Sequence, residues 1–362
     1  MLNHQRLGRS NDAVAGAGRL GVIASERGLA VHAGILACKI KFECIQNLSI
    51  FKFKSKHNNN QQHPGSPVSN PTHVHFVSGE TECAAWLYRP PGQSPCPVIV
   101  MAHGLGAVKD MRLDAFAERF CAAGYACVVF DYRCFGDSGG ISRQILDISM
   151  QLDDWRAAIG FARSLEWTDS GRVILWGSSF SGGHVLTLGA EDSNLAAVIS
   201  QCPFTDGLAS VLAVNPITSL QVTLLSLVDI IGSWLGAKPV MLNTAGKPFS
   251  AALMTAPDAM PGYLALVPEG SSFRNQVAAR IGLNILRYYP GRRVAAIRSP
   301  VLFCICKKDS VAPAKTTRRY AHKAVRGEIM ELNLGHFDIY RGVPFEQVVS
   351  RQLAFLKQQV PL

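Results

Sequence analysis

The sequence predicts an α/β fold in which a mostly parallel central sheet carries helices on both faces and a helical cap insertion interrupts the sheet. Three observations support this prediction. From residue 72 onward, short apolar strand-like runs alternate with helical patterns, the alternation stops at about 205–297, and it then resumes to the end of the chain. With 362 residues and 48% hydrophobic content, the chain is long enough to bury such a core.

The predicted elements follow in chain order. A hairpin of strands 73–77 and 83–88 comes first. The series that follows consists of strand 98–101, helix 113–123, strand 126–130, helix 152–164, strand 173–176, helix 183–188 and strand 196–200. After the insertion come strand 301–306, helix 313–324, strand 328–332 and helix 345–356. Because strands that alternate with helices pair in parallel, both faces of the sheet are expected to be covered.

Residues 1–71 are predicted to be a poorly structured basic extension and linker, and 72–362 to be the folded domain. The extension holds nine Lys or Arg against three Asp or Glu, so it carries six of the ten net positive charges. The tract 57–71 has the composition of a linker. Since the excess charge lies in a tail, nucleic acid is not a predicted partner. An organelle-targeting segment and a plain extension both remain open for this tail.

Cysteine spacing and hydropathy predict a cytoplasmic protein without a metal or cofactor. None of the ten cysteines forms a CxxC pair, and Cys304 and Cys306 lie inside an apolar run. The longest weakly charged stretch, about 207–228, contains polar residues, so an amphipathic segment is predicted there and no membrane span. His73 and His75 share a strand face, but two ligands without a third do not predict a metal site.

The turn after predicted strand 173–176 is the candidate nucleophile site. Its sequence Gly-Ser-Ser-Phe-Ser-Gly-Gly, at 177–183, places Ser179 between a strand and a helix, with small residues two positions away on either side. A nucleophile on such a sharp turn needs small neighbours there. The second usual glycine is replaced by Ser181. Ser179 is therefore the predicted nucleophile; Ser181, Ser178 and a noncatalytic turn remain open alternatives.

A serine hydroxyl needs a base to take its proton and an acid to orient that base. Asp309 follows strand 301–306, and His336 follows strand 328–332, which gives the chain order serine, acid, histidine. His336 is predicted to be the base and Asp309 the acid. Asp206, after strand 196–200, is the alternative acid, and Asp338 is a weaker one. An exposed loop position is the alternative for His336.

The loop His-Gly-Leu-Gly at 103–106 follows strand 98–101 and predicts an oxyanion hole. In such sites one backbone N–H comes from the residue after the nucleophile, here Phe180, and a second from this loop, for which Leu105 is the choice. A phosphate-binding loop is not predicted, because Lys109 stands where the third glycine of Gly-x-Gly-x-x-Gly would be.

The insertion at about 205–297 is rich in Leu, Ile and Trp between 224 and 235. Simple packing on the sheet would account for this content. A helical cap that supplies an apolar acyl pocket over the strand ends is the sharper hypothesis.

Four segments resemble one known family. They are Pro-Val-Ile-Val-Met-Ala-His-Gly at 97–104, Phe-Asp-Tyr-Arg at 130–133, Gln-Cys-Pro-Phe-Thr-Asp-Gly at 201–207 and Gly-His-Phe-Asp-Ile-Tyr at 335–340. Together they are similar to the α/β-hydrolase fold group that includes the fungal polyketide transferases, dienelactone-hydrolase-like serine hydrolases, over about 72–356. The resemblance implies the triad Ser179, Asp309 and His336, and a role in secondary-metabolite biosynthesis.

The predicted function is acyl transfer through a Ser179 acyl-enzyme, from a small-molecule ester or thioester. The acceptor is either water, as in an esterase or thioesterase, or a metabolite alcohol, as in a polyketide transferase. The resemblance adds a polyketide synthase carrier domain as one acyl donor. A catalytically silent binding protein and a general carboxylesterase or peptidase are the alternatives. Oligomeric state is not predicted.

Overall fold

The computed structural model describes residues 70–92 and 94–362. Predictions for residues 1–69 lie outside the described part of the chain. The strands are β1 (Thr72–Ser78), β2 (Thr81–Tyr88), β3 (Cys96–Ala102), β4 (Ala126–Phe130), β5 (Thr168–Ser178), β6 (Leu195–Gln201), β7 (Met241–Ala245), β8 (Ala252–Met254), β9 (Gln276–Ala278), β10 (Val301–Cys306) and β11 (Gly327–Leu332).

The helices surround these strands. They are α1 (Leu113–Ala122), α2 (Ile148–Ser164), α3 (Phe180–Glu191), α4 (Gly207–Leu212), α5 (Pro216–Trp234), α6 (Ala259–Leu264), α7 (Ile281–Ile285), α8 (Ala314–Ala321) and α9 (Gly342–Gln359), with short 3₁₀ helices at Pro290–Ala296 and Asp338–Tyr340. The predicted helix 183–188 is longer at both ends, because α3 begins directly after Ser179.

The main sheet has eight strands in the order β1-β2-β4-β3-β5-β6-β10-β11. β2 pairs antiparallel with both β1 and β4, and the other neighbours pair in parallel. The predicted mostly parallel sheet is therefore confirmed. β3, β4 and β10 are buried along their whole lengths, as continuous apolar strands are when helices cover both faces of a sheet.

The register between β10 and β11, the last two strands in the sheet order, positions two candidate site residues. β10 pairs with β11 so that Cys306 lies opposite Leu332. Both strands therefore end at the same edge, and the loops that carry Asp309 and His336 leave the sheet side by side. Carboxyl ends of parallel strands gather functional loops in open α/β sheets for this reason.

The segment between β6 and β10 departs from the main sheet. It contains α4 to α7 and a second sheet of three strands in the order β8-β7-β9. The insertion therefore contains the predicted helices and, in addition, three strands that the sequence analysis did not predict. These strands have five, three and three residues, which is too short for an alternating pattern to stand out in the sequence.

The weakly charged stretch 207–228, for which the sequence predicted one amphipathic segment, differs in its bounds from the helices of the structure. The structure divides that stretch between α4 and α5, and α5 continues to Trp234. Among the described residues, α5 is the one helix that is long and apolar enough to cross a membrane. Length and composition alone are weak evidence for a span, because core helices meet the same criteria.

The eight cysteines of the described residues are all buried and free. Cys304 and Cys306 lie in β10, and Cys127 in β4, where they act as small apolar side chains. This agrees with their interpretation from the sequence.

Candidate active site

Ser179 lies on the sharp turn between β5 and α3. Its backbone has φ 59° and ψ −118°, a conformation that L-residues rarely adopt. The turn needs Gly177, since a Cβ there would lie 2.3 Å from the carbonyl oxygen of Ser181. A Cβ at Gly104 would likewise approach the Cβ of Ser179 to 2.8 Å. The glycines therefore create the space in which the Ser179 side chain projects from the sheet.

The neighbouring serines of the turn are engaged inside the protein. Both Ser178 and Ser181 are fully buried. The Ser178 hydroxyl bonds the Tyr340 hydroxyl and accepts from Nε2 of Gln201 at 3.1 Å. The Ser181 hydroxyl bonds that of Tyr132 at 2.8 Å. Neither lines the cavity described below, whereas Ser179 does, so the geometry favours Ser179 among the three.

The structure brings Ser179, His336 and Asp309 into one hydrogen-bonded chain. Nε2 of His336 lies 3.0 Å from Oγ of Ser179, and Nδ1 lies 2.7 Å from Oδ2 of Asp309. The side chains of His336 and Asp309 are each 2% exposed. When the imidazole is neutral and carries its proton on Nδ1, it donates to Asp309 and accepts from Ser179. This arrangement has the geometry of a serine nucleophile with its base and orienting acid.

Asp309 is itself held in place by its loop. Its Oδ1 accepts hydrogen bonds from the backbone N–H groups of Val311 at 2.9 Å and Ala312 at 2.6 Å. The other oxygen is left free to face the imidazole. The carboxylate therefore has a fixed direction, and it fixes the ring of His336 in turn.

The pKa of His336 follows from two opposed effects. Burial is the largest single influence and favours the neutral imidazole, but the Asp309 carboxylate at Nδ1 and Cys202 near Nε2 together hold the pKa of His336 well above its usual range. Proton transfer from Ser179 to His336 is thereby favoured, since the resulting imidazolium lies against a carboxylate.

The two other candidate acids have different roles. Oδ1 of Asp206 accepts from the backbone N–H of Ala209 at 3.0 Å and caps α4, and Oδ2 accepts from the Tyr320 hydroxyl at 2.7 Å. Asp206 therefore makes no hydrogen bond to His336. Asp338 accepts from the backbone N–H of Gly335 at 2.8 Å and closes the turn before the histidine.

The loop after β3 lies opposite the start of α3. The N–H of Phe180, the first residue of α3, has no acceptor within its helix. Among the described residues, the N–H of Leu105 donates no hydrogen bond either. The Leu105 carbonyl accepts from the Tyr263 hydroxyl at 2.7 Å, which fixes the orientation of this peptide. Both N–H groups are thus available for an oxyanion.

His103 supports the same loop. Its Nδ1 accepts from the backbone N–H of Gly104 at 2.8 Å, so its Nε2 carries the proton that is donated to the Met111 carbonyl at 2.8 Å. Complete burial lowers its pKa to about 4. A neutral histidine therefore connects the loop to the turn before α1.

Sequence reasoning missed two residues of the site. Tyr263 reaches Leu105 from the insertion, 158 positions away. Sγ of Cys202, which follows β6, lies 4.0 Å from Nε2 of His336. Only the motif Gln-Cys-Pro-Phe at 201–204 marked Cys202, and no local signal marked Tyr263.

Cys202, Asp309 and His336 are the one cluster of the described part of the chain with metal-ligating atoms in reach, within 4.8 Å of one another. Both nitrogens of His336 are already used, by Asp309 and Ser179. A cation could bind Nε2 only by displacing Ser179. His73 and His75 are exposed on β1 and do not join this cluster.

Lys109 has a structural role in the predicted oxyanion loop region. Its Nζ forms an ion pair with Asp131 at 2.7 Å and also bonds Asp137, and its own side chain is 3% exposed. Burial opposes its charge, but the two carboxylates keep the pKa of Lys109 raised. The charge of this lysine is thus paired with carboxylates inside the protein.

A cavity of about 610 Å³ opens above Ser179. The core contributes Leu105, Phe180 and Phe204, and the insertion contributes most of the remaining wall. Among the residues that the structure describes, no lysine, arginine, aspartate or glutamate lines this cavity. Its polar groups are hydroxyls and one amide, which include Ser210, Asn215 and Thr223. The cavity accordingly fits a neutral, mainly apolar molecule.

Comparison with known proteins agrees with the fold. A family model described as "Serine aminopeptidase, S33" matches residues 93–332. The chain is 58% identical to the quorum-quenching protein AidA of Acinetobacter baumannii (strain MDR-ZJ06), over 81% of this chain and 96% of that protein.

Fungal relatives are more distant. The chain is 25% identical to the polyketide transferase ATR5 of Stachybotrys chlorohalonatus, over 76% of this chain and 93% of that protein. Thus the resemblance to fungal polyketide transferases is confirmed, although the bacterial relative is far more similar.

The fold is shared with solved structures. The α/β hydrolase GrgF from Penicillium sp. sh18 superposes with a TM-score of 0.69 over 80% of this chain and 99% of that one, at 23% identity. The Butyrivibrio proteoclasticus esterase Est1E bound to ferulic acid superposes with a TM-score of 0.55 over 80% of this chain and 100% of that one. By family match and by fold, the chain belongs to the serine aminopeptidase S33 family of α/β hydrolases.

Proposed function

We propose that the protein is a serine hydrolase that cleaves neutral acyl esters, thioesters or lactones through an acyl-enzyme on Ser179. One observation carries this proposal: the hydrogen-bonded chain Ser179–His336–Asp309 ends at an apolar cavity whose described wall residues are all uncharged. The hydrogen-bonded residues include the nucleophile, Ser179, and the cavity offers space for an acyl group.

The first half of the reaction forms the acyl-enzyme. Oγ of Ser179 attacks the substrate carbonyl carbon while Nε2 of His336 takes the hydroxyl proton. The bond to the leaving alcohol or thiol then breaks, and the same proton passes from Nε2 to that leaving group. In the second half, water gives its proton to Nε2 and attacks the acyl carbon, and Ser179 regains a proton as the acid leaves.

Asp309 and the oxyanion donors stabilise the charges that develop. The imidazolium of His336 forms against the Asp309 carboxylate. The substrate oxygen becomes negative in the tetrahedral intermediate, and the N–H groups of Leu105 and Phe180 are the donors that we assign to it. Fixed donors of this kind contribute about 3 kcal/mol each to transition-state stabilisation.

The cavity favours neutral acyl substrates over peptides with a free amino terminus. An ammonium group buried in an apolar site needs a carboxylate partner, because desolvation of a charge is costly. The lining residues in the described part of the chain offer no carboxylate. Although the family carries the name aminopeptidase, we therefore propose ester, thioester or lactone cleavage for this member.

The relatives support hydrolysis as the first candidate and acyl transfer as the second. The 58% identical relative is named a quorum-quenching protein, which is consistent with destruction of a small signalling molecule. A thiohydrolase of Aspergillus aculeatus is 26% identical. The polyketide transferase at 25% identity favours transfer of the acyl group to an alcohol. A place in secondary metabolism stays a prediction, and a cytoplasmic location is proposed from the buried free cysteines.

A fluorophosphonate probe tests the nucleophile. The wild-type protein should label, and Ser179→Ala should not. Ser219→Ala is the matched control, because Ser219 lines the same cavity from α5 and alanine suits a helix. Labelling of Ser179→Ala, or no labelling of folded wild-type protein, would contradict the serine mechanism and favour a silent binding protein.

A substrate panel tests the acyl class and the acceptor. Neutral p-nitrophenyl esters, acyl thioesters and lactones with acyl side chains of increasing length should be cleaved, with kcat/KM rising with chain length. An aminoacyl p-nitroanilide with a free amino terminus should not. The same assays with added long-chain alcohols distinguish the acceptors, since transfer yields a new ester and hydrolysis yields only the free acid.

A further inference from the structure

α5 directs its polar side chains into the protein and its apolar side chains toward solvent. Thr218 and Ser226 are fully buried, and Asp229 is 1% exposed. Asp229 accepts from the backbone N–H groups of Val240 and Arg280 and pairs with the Arg280 guanidinium at 2.7 Å. The outer face carries Ile217, Leu220, Leu224, Leu227, Ile231 and Trp234, which we call the apolar seam; their exposures range from 44% to 79%.

The spacing of the apolar seam is that of a helix that packs on another helix. Its six residues are separated by three, four, three, four and three positions, which is the alternation of the a and d positions in a heptad repeat. The spacing continues from the first turn of α5 to its last residue. Such a narrow stripe fits into the grooves of a partner helix.

The seam is large enough for a stable dimer. Val228 and Leu235 widen it, with exposures of 56% and 80%. Eight large apolar side chains, each about half exposed or more, present a surface of the same order as the roughly 800 Å² that each partner buries in a standard interface. Monomeric proteins rarely leave a continuous apolar patch of this size in water.

The charge distribution favours a second copy of this chain over a lipid surface. Asp229 is the one charged residue of α5, and it is buried in an ion pair. Two identical seams therefore meet without like charges. A helix that lies on a membrane carries Lys or Arg on a polar face toward the headgroups, but the polar face of α5 is packed inside the protein.

We propose that the protein is a homodimer in which the apolar seam of α5 packs on the same seam of a second copy about a two-fold axis. An interface of this kind is self-complementary, so each seam supplies both the ridges and the grooves. Ser219, Val222 and Thr223 of the same helix line the cavity above Ser179. The interface consequently supports one wall of the acyl cavity.

Sedimentation velocity and light scattering on the full chain test the dimer. At micromolar concentration, the wild-type protein should have twice the 39.2 kDa mass of one chain. The double variant Leu224→Glu/Ile231→Glu should have the mass of one chain, with a dissociation constant raised at least about a hundredfold. Val343→Glu is the matched control, since Val343 is 70% exposed outside the seam, and it should remain dimeric.

Circular dichroism shows whether the double variant is folded. We expect it to fold, because the side chains of Leu224 and Ile231 already face solvent. A monomeric wild-type protein, or a dimer that the double variant leaves intact, would overturn the proposal. Flotation with vesicles of phosphatidylcholine and phosphatidylglycerol tests the lipid alternative. Binding of a monomeric wild-type protein, lost in the double variant, would assign the seam to membranes instead.

The dimer does not depend on the proposed reaction. Fluorophosphonate labelling of Ser179 reports the reaction, and mass reports the dimer, so either result can fail without the other. If the interface supports the cavity, the monomeric variant should still label but should lose at least tenfold in kcat/KM for long acyl chains relative to short ones.

Discussion

The ends of the main-sheet strands and the insertion between β6 and β10 meet at Ser179, but they are built in opposite ways. At the strand ends, each polar side chain near Ser179 has a fixed partner, as in the bonds from His336 to Asp309 and from Asp309 to its loop. The insertion contributes apolar side chains and uncharged polar groups around a cavity. In the proposed function, this contrast separates the reaction, which would depend on fixed hydrogen bonds, from substrate choice, which would depend on volume.

The largest expected effect comes from the strand-end acid. Asp309→Asn should lower kcat by about 10⁴, because an amide cannot stabilise the imidazolium and favours the wrong tautomer of His336. Asp206→Asn is the control: the amide oxygen can still cap α4, so activity should change little. Steady-state kinetics of both variants decide the matter. An equal loss in both would mean that the wrong carboxylate had been assigned as the acid.

In the insertion, a change of volume should alter substrate preference and leave the chemistry intact. Val214 lines the cavity from the turn between α4 and α5. Val214→Trp should lower kcat/KM for long acyl chains by about a hundredfold and leave acetyl esters almost unaffected, since poor fit in an apolar pocket costs about 1–3 kcal/mol. Val325→Trp, at a 75% exposed turn, is the control. An equal loss of kcat/KM for acyl chains of every length would contradict the proposal that the insertion determines substrate preference alone.

The pH profile tests the electrostatics of the strand ends. The base must be neutral to accept a proton, so kcat/KM should fall about tenfold per pH unit below the pKa of His336. Asp309 raises that pKa above the ordinary 6.5. The acidic limb for an uncharged ester should therefore lie above pH 6.5, while circular dichroism shows intact fold. A limb at or below 6.5 would show that burial outweighs the carboxylate.

Tyr263 joins the two regions and should have the smallest effect. Tyr263→Phe removes the hydroxyl that donates to the Leu105 carbonyl but keeps the ring against Phe273 and Phe337. We expect kcat to fall about tenfold with little change in KM, because the oxyanion donor is less well oriented. Tyr320→Phe is the control, because it removes the hydroxyl that donates to Asp206. It should lower the free energy of unfolding by about 1 kcal/mol and leave kcat unchanged.

The sequence was sufficient for the centre of the sheet because β3, β4 and β10 are continuous buried runs. β10 has the predicted bounds, Val301–Cys306. The order of Ser179, Asp309 and His336 could also be read from the chain, since each follows a strand of the parallel series. The sequence favoured Asp309 as the acid but left Asp206 open, because both follow such strands. The pairing of β10 with β11 puts the Asp309 and His336 loops side by side, which favours Asp309.

The insertion was harder to predict for a physical reason. Its strands are too short to show a period, and Tyr263 acts through a contact between distant parts of the chain. α5 is the clearest case. Its apolar residues could be read as a packing face, but only the structure shows that the polar face is the buried one.

The backbone at Ser179 has a consequence for the stability of the whole chain. A non-glycine residue at φ 59° and ψ −118° costs of order 1–3 kcal/mol, which the surrounding sheet and α3 must offset. Folding equilibrium alone would favour glycine at this position. In the proposed function, the serine at this position would trade durability for reactivity at a single residue.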